Sequence, residues 1–299
     1  MAPSKIQGEK RMKNVVRLGL WLVIFGILAW MTPSYAGSAN GFDRSYVSNP
    51  WYAAGFPAPR NGEWYVIAHR GAHDDGTPEN SLAAIQRAIE LGCDFVEIDV
   101  RETRDHVIVA VHDATVEAYV KGHSGRINDY TLAELRRMGL TPPTLEEILM
   151  MCAGRIGIYI DLKEDLAPEI AAALLRYHME DRAVWYIPIS NLPAIMEVKA
   201  LGCHPMPDPG GVTAIQDIID MVHPLVLASD IEHLERGSFA AISHAGGAMV
   251  FADDSLGGAA DEMVAEWDQM LMWGVDGIQT DHPGMLIEYL RNRAIKALP

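Results

Sequence analysis

Short apolar runs alternate with longer segments of helical spacing from Trp64 to the end of the chain. In the longer segments, residues such as Leu82, Ile85 and Ile89 mark a single helix face, as an amphipathic crossover requires. This alternation predicts a parallel sheet whose strands are connected by helices. The eight clearest strand-like runs are 65–68, 95–100, 107–112, 157–161, 184–187, 225–228, 248–251 and 277–280.

Eight strand–helix units predict an α/β protein with a closed (β/α)₈ barrel, which we expect to form a single domain over residues 63–299. Barrels of this kind typically have about 250 residues. A ninth run, 203–206, also resembles a strand, so we expect one of the later segments to lie outside the barrel. An open doubly wound sheet is the alternative, but no glycine-rich phosphate loop of the nucleotide-binding form follows the first strand.

The first 36 residues are typical of an export signal. Basic residues precede an apolar run over residues 18–31, which is shorter than the ~20 residues needed to span a bilayer. Small residues at Ser34 and Ala36 fit a signal-peptidase site. We expect residues 1–36 to be removed, 37–62 to be an irregular lead-in, and the protein to be periplasmic or secreted. An uncleaved N-terminal anchor is the alternative, and it would be the only route to membrane contact.

The charge and the cysteines exclude some classes of protein. The formal net charge is −16, and it is about −20 without residues 1–36, so nucleic acid is not an expected partner. Cys93, Cys152 and Cys203 are odd in number and lack the spacing of metal ligands. We interpret them as buried thiols rather than as disulfides.

Polar residues that can take part in catalysis or ligand binding follow several of the predicted strands. Glu97 and Asp99 are two residues apart and therefore share one face of their strand, and Asp161 and Lys163 share a face in the same way. His112 is the last residue of the strand-like run 107–112. Because the carboxyl ends of barrel strands form the catalytic mouth, these side chains are expected to meet there. Clustered carboxylates need a cation, and oxygen ligands favour Ca²⁺ or Mg²⁺ over zinc.

Six short motifs together resemble those of the glycerophosphodiester phosphodiesterase family, a group of TIM-barrel enzymes. Each motif is weak alone, but their order along residues 65–290 is specific. The motifs are His69-Arg70-Gly71, Pro78-Glu79-Asn80-Ser81, Glu97-Ile98-Asp99, His112-Asp113, Asp161-Leu162-Lys163 and Gly277-Ile278-Gln279-Thr280-Asp281.

The resemblance implies metal-dependent hydrolysis of a glycerophosphodiester to glycerol 3-phosphate and an alcohol. It implies that Glu97, Asp99 and Asp161 bind a divalent metal, Ca²⁺ or Mg²⁺. His69 and His112 would form the acid–base pair. This agrees with the chemistry, because a phosphodiester must release an alkoxide that one imidazole protonates while another activates the nucleophile. The nucleophile is either water or the neighbouring glycerol hydroxyl.

The resemblance also assigns supporting residues, and the sequence departs from the family in three places. Arg70 and Lys163 would hold phosphate oxygens, with Glu79 as a further ligand or orienting group and Asn80 in support. The third metal ligand is usually glutamate, but here it is Asp161. Serine replaces a threonine after Pro-Glu-Asn, where it can still cap a helix. Phe-Ala-Asp-Asp at 251–254 replaces Trp-Thr-x-Asn, which changes the expected alcohol pocket.

Two other functions compete with this hypothesis. One is cleavage of lysolipids or sphingolipids in the manner of phospholipase D or sphingomyelinase D, which requires an exposed apolar loop. The other is a catalytically silent protein that keeps the metal site for binding. Glu97 and Asp99 also have a purely structural alternative, in which they form salt bridges with Arg101 and Arg104.

Several polar residues have a simpler interpretation. Asp113 is expected to cap a turn, and Asp253 and Asp254 are expected to lie in a solvated loop. Nine of the eleven histidines are interpreted as surface or core residues, among them His73, His106, His123, His204 and His282.

Overall fold

Eight parallel strands curve into a nearly closed barrel in the computed structural model, which describes residues 56–296. The strands follow the order β6-β5-β4-β2-β1-β9-β8-β7 around the barrel, and β3 pairs with β2 outside this path. Their bounds are β1 Tyr65–Ala68, β2 Phe95–Glu102, β3 Ile108–Ala110, β4 Gly157–Leu162, β5 Ala183–Pro188, β6 His204–Asp208, β7 Val226–Asp230, β8 Met249–Asp253 and β9 Gly277–Thr280.

The strand outside the barrel is β3, so the expectation that a later segment is the extra one was wrong. β3 runs antiparallel to β2, with Val100 opposite Ala110 and Glu102 opposite Ile108. Only residues 103–107 separate the two strands. A crossover between parallel strands needs a dozen or more residues, whereas a hairpin needs very few. The run at 203–206 belongs to β6 and is part of the barrel.

One joint of the barrel lacks a ladder of hydrogen bonds. β6 and β7 lie side by side, but no strand pairing joins them in the described part of the chain. β6 contains Pro205 and Pro207, which have no N–H group to donate. These residues are two apart, so the backbone nitrogens that lack a hydrogen both point to the same edge of β6. Since the other edge pairs with β5, the edge toward β7 is the one without donors.

Helices alternate with the strands and cover the outside of the barrel. Ser81 caps α1 by accepting a hydrogen bond from the Ala84 N–H, which confirms the role expected for this serine. Among residues 56–296, no helix has both the length and the apolar character needed to cross a membrane. The α-helices are α1 Leu82–Leu91, α2 Leu132–Met138, α3 Leu145–Cys152, α4 Ala167–Tyr177, α5 Leu192–Ala200, α6 Ile215–Val222, α7 Ser238–Ala245, α8 Ala260–Met272 and α9 Pro283–Lys296.

Two apolar layers hold the barrel together. A large cluster lies between the strands and the helices, and it includes all three cysteines as buried free thiols, as expected. A second cluster fills the barrel interior, where the rings of Tyr65 and Phe95 pack against Phe251 with centroids 5.0 and 5.7 Å from it. Because side chains alternate along a strand, residues two positions beyond these interior residues also face inward.

The signal peptide and most of the lead-in predicted for residues 1–62 lie outside the described residues.

Candidate active site

The inward face of the strands changes from apolar to polar at the carboxyl end of the barrel. Alternation places the side chains that follow the interior cluster around a single mouth. Most of them are carboxylates, so this end of the barrel is strongly negative. In chain order they are His69, Glu97, Asp99, Asp161, Asp208, Asp230, Asp253, Gln279 and Asp281.

The His-Arg-Gly segment makes a sharp turn directly after β1. Arg70 has a φ of 51° and Gly71 a φ of 87°, so both adopt the left-handed conformation. A Cβ atom on Gly71 would lie 2.6 Å from the Cβ of Ala84 in α1, which excludes any other residue there. The turn directs the Arg70 N–H to Glu97 Oε2 at 2.7 Å. The turn therefore brings the backbone that follows β1 to the acidic residues of β2.

Three carboxylates form the candidate metal site. Each of Glu97, Asp99 and Asp161 offers an oxygen within 4.8 Å of the other two. Glu97 and Asp99 are 2% and 1% exposed, whereas Asp161 is partly exposed. β2 and β4 are paired so that Asp99 lies opposite Asp161. The three ligands proposed from the sequence are thus brought together, and an all-oxygen donor set suits a hard cation such as Ca²⁺ or Mg²⁺.

Arg70 and Lys163 supply positive charge to these carboxylates. Arg70 Nε lies 3.3 Å from Asp99 Oδ2, and its Nη1 donates to Glu79 at 2.9 Å. Lys163 Nζ lies 3.2 Å from Asp99 Oδ1 and 2.5 Å from Asp161 Oδ2. Both cations sit where they can also reach a phosphate bound at the carboxylates.

Asn80 fixes the second carboxylate of the set. Its Nδ2 donates to Asp99 Oδ2 at 2.8 Å, and its Oδ1 accepts from the Asp99 N–H at 3.2 Å. Asn80 itself is held in the left-handed conformation, with a φ of 52°. This residue tolerates that conformation better than most. The Pro-Glu-Asn motif therefore supports the site through hydrogen bonds.

The alternative that Glu97 and Asp99 serve a salt-bridge network with Arg101 and Arg104 is not observed. Arg101 pairs with Glu164 at 3.2 Å, and Arg104 pairs with Glu134 on α2 at 2.6 Å. Arg101 shares strand parity with the two acids but lies on the part of β2 that extends beyond the barrel to pair with β3.

The crowding of acids shifts their protonation. Burial raises the pKa of Glu97 well above its usual range, and the charges of Asp99 and Asp161 raise it further. Burial also raises the pKa of Asp161, although Lys163 and His112 oppose the shift. Burial is the largest cause of both shifts, and the neighbouring carboxylates add to it. A divalent cation at this position would favour the ionised forms.

His69 is oriented by a carboxylate that it shares with a second histidine. Its Nδ1 lies 2.6 Å from Asp281 Oδ1, and Nε2 of His73 lies 3.1 Å from the same oxygen. Burial would raise the pKa of Asp281, but the hydrogen bonds from both imidazoles hold it below the usual range. An ionised Asp281 favours the His69 tautomer with the proton on Nδ1, which leaves Nε2 for proton transfer.

His112 reaches the mouth through the β2–β3 hairpin. The Val111 N–H donates to the Asp99 carbonyl at 2.9 Å, so the residue after it lies beside the carboxylates. Arg101 holds the His112 carbonyl with two hydrogen bonds of 2.9 and 2.8 Å. His112 Nδ1 lies 2.8 Å from Asp113 Oδ1. Asp113 thus orients the imidazole and is not simply the turn cap expected from the sequence.

The comparison with known families agrees with this geometry. Residues 69–187 match the model of the glycerophosphoryl diester phosphodiesterase family. The chain resembles this family over less than half of its length. The matched segment begins at His69 and contains Glu79, the metal-site carboxylates and His112, so the match and the candidate site coincide.

Two relatives bear the name of this family. A glycerophosphodiester phosphodiesterase of Caldanaerobacter subterraneus is 31% identical over 157 residues, which cover 46% of this chain and 63% of that protein. Glycerophosphodiester phosphodiesterase 1 of Rattus norvegicus is 37% identical over 129 residues, which cover 38% of each chain. The chain thus matches less than two thirds of the length of either relative.

The fold is similar to that of a solved phosphodiesterase structure. The structure of an Oleispira antarctica phosphodiesterase, solved in complex with the product sn-glycerol-3-phosphate, superposes with a TM-score of 0.62 at 23% identity. The superposition covers 77% of this chain and 97% of that one. The predicted TIM barrel is therefore confirmed.

Some residues of the candidate site were missed in the sequence. Asp281 ends the last motif but has no role in the sequence analysis, and His73 is interpreted there as a surface or core residue. Asp254 was expected in a solvated loop, but it is 4% exposed and accepts a hydrogen bond from Trp267 Nε1 at 2.8 Å. The signal that finds Asp253 is strand parity, because it lies two residues beyond the interior residue Phe251.

Proposed function

We propose that the protein hydrolyses glycerophosphodiesters to glycerol 3-phosphate and an alcohol in a metal-dependent reaction. The observation that carries this proposal is the presence, at one barrel mouth, of two carboxylate-oriented imidazoles beside a three-carboxylate cluster. The match of residues 69–187 to the family model supports the reaction class. The product found in the Oleispira antarctica phosphodiesterase supports the glycerol 3-phosphate half of the substrate.

Glu97, Asp99 and Asp161 are the residues that would hold the divalent cation. When bound, such a cation supplies Lewis-acid stabilisation of the charge that develops on the phosphoryl oxygens. The chain adds its own positive charge at the same place. Asp99 orients Arg70 and Lys163. The two donors are therefore already in position before the phosphate binds.

The two histidines divide the proton transfers. In our proposal one imidazole accepts the proton of the attacking hydroxyl, and the other protonates the alkoxide that leaves phosphorus. His69 is held by Asp281 and His112 by Asp113, both through Nδ1. Each ring therefore presents its Nε2 to the substrate. Since the attacking group is either water or the glycerol 2-hydroxyl, a cyclic phosphate is an intermediate only in the second case.

A substrate panel tests this proposal. We expect release of glycerol 3-phosphate from glycerophosphodiesters with Ca²⁺ or Mg²⁺, and loss of that release with chelator. Lysophosphatidylcholine and sphingomyelin are included as substrates of the competing hypothesis. Turnover of lysophosphatidylcholine or sphingomyelin, without turnover of any glycerophosphodiester, would favour the phospholipase D-like reaction. Binding without turnover of any substrate would favour the silent binding protein.

A further inference from the structure

The half of the mouth opposite the metal site carries a second group of carboxylates. Asp208, Asp230 and Asp253 end β6, β7 and β8. In each strand the residue two positions earlier belongs to the interior cluster, so the three carboxylates share the inward face. Asp208 accepts hydrogen bonds from Tyr186 Oη at 2.9 Å and the Gly210 N–H at 2.8 Å. We call Asp208, Asp230, Asp253 and Gln279 the acidic half.

Gln279 shows that this half is built to contact something further. It lies opposite Asp253 in the pairing of β8 with β9. Its position two residues after Gly277, whose missing Cβ would point at the interior residues Phe251 and Ile67, directs it into the mouth. The residue is 4% exposed, and its Oε1 has no hydrogen-bond partner among the described residues. A buried carbonyl oxygen without a donor is costly and rare.

In this half His233 Nδ1 lies 2.8 Å from Asp230 Oδ2, but positive charge is missing at Asp253. Within residues 56–296, no lysine, arginine or histidine forms an ion pair with Asp253, whereas Asp99 and Asp161 have Arg70 and Lys163. Burial raises the pKa of Asp253 well above its usual range, and its neighbouring aspartates raise it further. A ligand that reaches this half must therefore compensate negative charge and donate a hydrogen bond.

A single metal ion does not fit these residues. Asp208, Asp230 and Asp253 do not bring their oxygens within 4.8 Å of one another, as Glu97, Asp99 and Asp161 do among the described residues. An organic cation with several N–H donors can instead bind to part of this set, with Asp253 and Gln279 opposite each other. Aromatic surface suited to such a cation is present as well, because Tyr159 and Tyr186 face inward with stacked rings whose centroids are 6.3 Å apart.

We propose that the acidic half binds a primary ammonium group on the alcohol of the diester, of the kind that an ethanolamine head group carries. Asp253 and Gln279 lie opposite each other on β8 and β9, so the N–H donors of this cation can reach Asp253 and Gln279 Oε1 together, while Asp208 and Asp230 add negative charge around it. A quaternary ammonium carries the charge but has no N–H, and a neutral polyol has donors but no charge. This assignment rests on the proposed function, because it names the head group of the same diester.

The test compares kcat/KM for glycerophosphoethanolamine, glycerophosphocholine and glycerophosphoglycerol. We expect the wild type to prefer glycerophosphoethanolamine over both others by at least tenfold. Asp253→Asn, which is isosteric, and Gln279→Met should each reduce that preference at least fivefold, mainly through KM. Asp217→Asn removes the same charge from an exposed position on α6 and should leave the preference unchanged.

Inhibition gives a second measurement that does not depend on how a variant folds. Free ethanolamine should inhibit hydrolysis of glycerophosphoglycerol by the wild type at concentrations where 1-propanol has no effect. Equal kcat/KM for the three diesters, a preference for glycerophosphocholine, or an unchanged preference in folded Asp253→Asn would overturn the assignment alone. Failure to cleave every diester would instead reject the proposed function, and the assignment with it.

Discussion

At the scale of single residues, the proposed mechanism depends on His69 and His112. Proton transfer by a positioned group typically contributes about 10²- to 10⁴-fold, so we expect His69→Ala and His112→Ala each to lose at least 10²-fold in kcat. Because the pair acts as a unit, the double variant should be little worse than the poorer single variant. Steady-state hydrolysis of a glycerophosphodiester measures both effects.

The control for these variants is metal affinity, since neither imidazole is among the proposed ligands. Calcium or magnesium binding measured by calorimetry should change less than kcat does. If His112→Ala turned over substrate at a rate near that of the wild type, the two-histidine mechanism would be wrong.

The contact of His73 with Asp281 predicts a pH dependence. The hydrogen bond to Asp281 raises the pKa of His73, despite the opposing effect of burial. A raised folded-state pKa contributes stability that is fully present below the ordinary histidine value of about 6.5 and is lost as pH rises through the raised value. We expect NMR titration to show the His73 pKa above 6.5, and Asp281→Asn to lower it.

The same contact makes a prediction about unfolding. The difference in unfolding free energy between the wild type and His73→Gln should be largest below about pH 6.5 and should shrink as pH rises. His123 is exposed and distant in the chain, so its titration in Asp281→Asn is the control. A His73 pKa that did not respond to Asp281→Asn would contradict the shared-carboxylate geometry.

These residues also show what the sequence predicts at this scale. His69, His112 and the three metal-site carboxylates were found because each belongs to a motif or to a strand end with clear parity. His73 lies in an irregular loop, where neither motif nor periodicity indicates which way a side chain points. Its contact with Asp281 joins residues 208 positions apart, and only the closed barrel brings these positions together.

At the scale of elements, the β2–β3 hairpin positions one of the two imidazoles. Arg101 on β2 holds His112 in place, because its guanidinium donates both hydrogen bonds to the His112 carbonyl. The Arg101 side chain is 12% exposed. Arg101→Met keeps an unbranched side chain but removes these donors. We expect about 1.5–3 kcal/mol loss of stability and at least tenfold loss of kcat, with metal affinity preserved.

A matched variant separates this role from charge alone. Arg104→Met removes the same charge from the same hairpin, but Arg104 contacts Asp129 and Glu134 rather than the mouth. It should leave kcat within about twofold. Equal loss of activity in the two variants would mean that Arg101 does not position His112.

The elements were mostly predictable, and the errors have physical causes. The strand–helix alternation identified all nine strands, because their apolar runs are short and clearly bounded. It did not distinguish a barrel strand from β3, since a run of β-branched residues looks the same in either setting. The deciding feature was the length of the connection at 103–107. The run at 203–206 was counted as a ninth strand-like segment, and the structure shows that Pro205 and Pro207 are tolerated in it because they lie at an unpaired edge.

At the scale of the whole molecule, metal binding should be linked to stability. A ligand bound only by the folded state adds about 2.7 kcal/mol at a hundredfold excess over Kd, which for a domain of this size raises Tm by about 5–10 °C. We expect chelator to lower Tm by this amount and added Ca²⁺ or Mg²⁺ to restore it. In Asp161→Asn the chelator effect should be smaller. Identical melting curves with and without chelator would argue against a three-carboxylate site.

The N-terminal sequence makes a separate prediction about the mature protein. If residues 1–36 form a signal peptide, expression in a bacterial host should yield an exported form that begins at Gly37. Mass spectrometry of the periplasmic or secreted protein measures the new N-terminus. An intact chain recovered with membranes would instead support the N-terminal anchor.

The unpaired joint between β6 and β7 gives the barrel one compliant side. A ring with seven bonded joints and one unbonded joint widens most easily at the unbonded joint, because no ladder must break there. Asp208 and Asp230 stand on either side of it, whereas β2 and β4, which carry the metal-site carboxylates, are paired along six residues. On the proposed function, the paired half would carry the chemistry, and the unpaired half would be the side that widens for a larger departing alcohol.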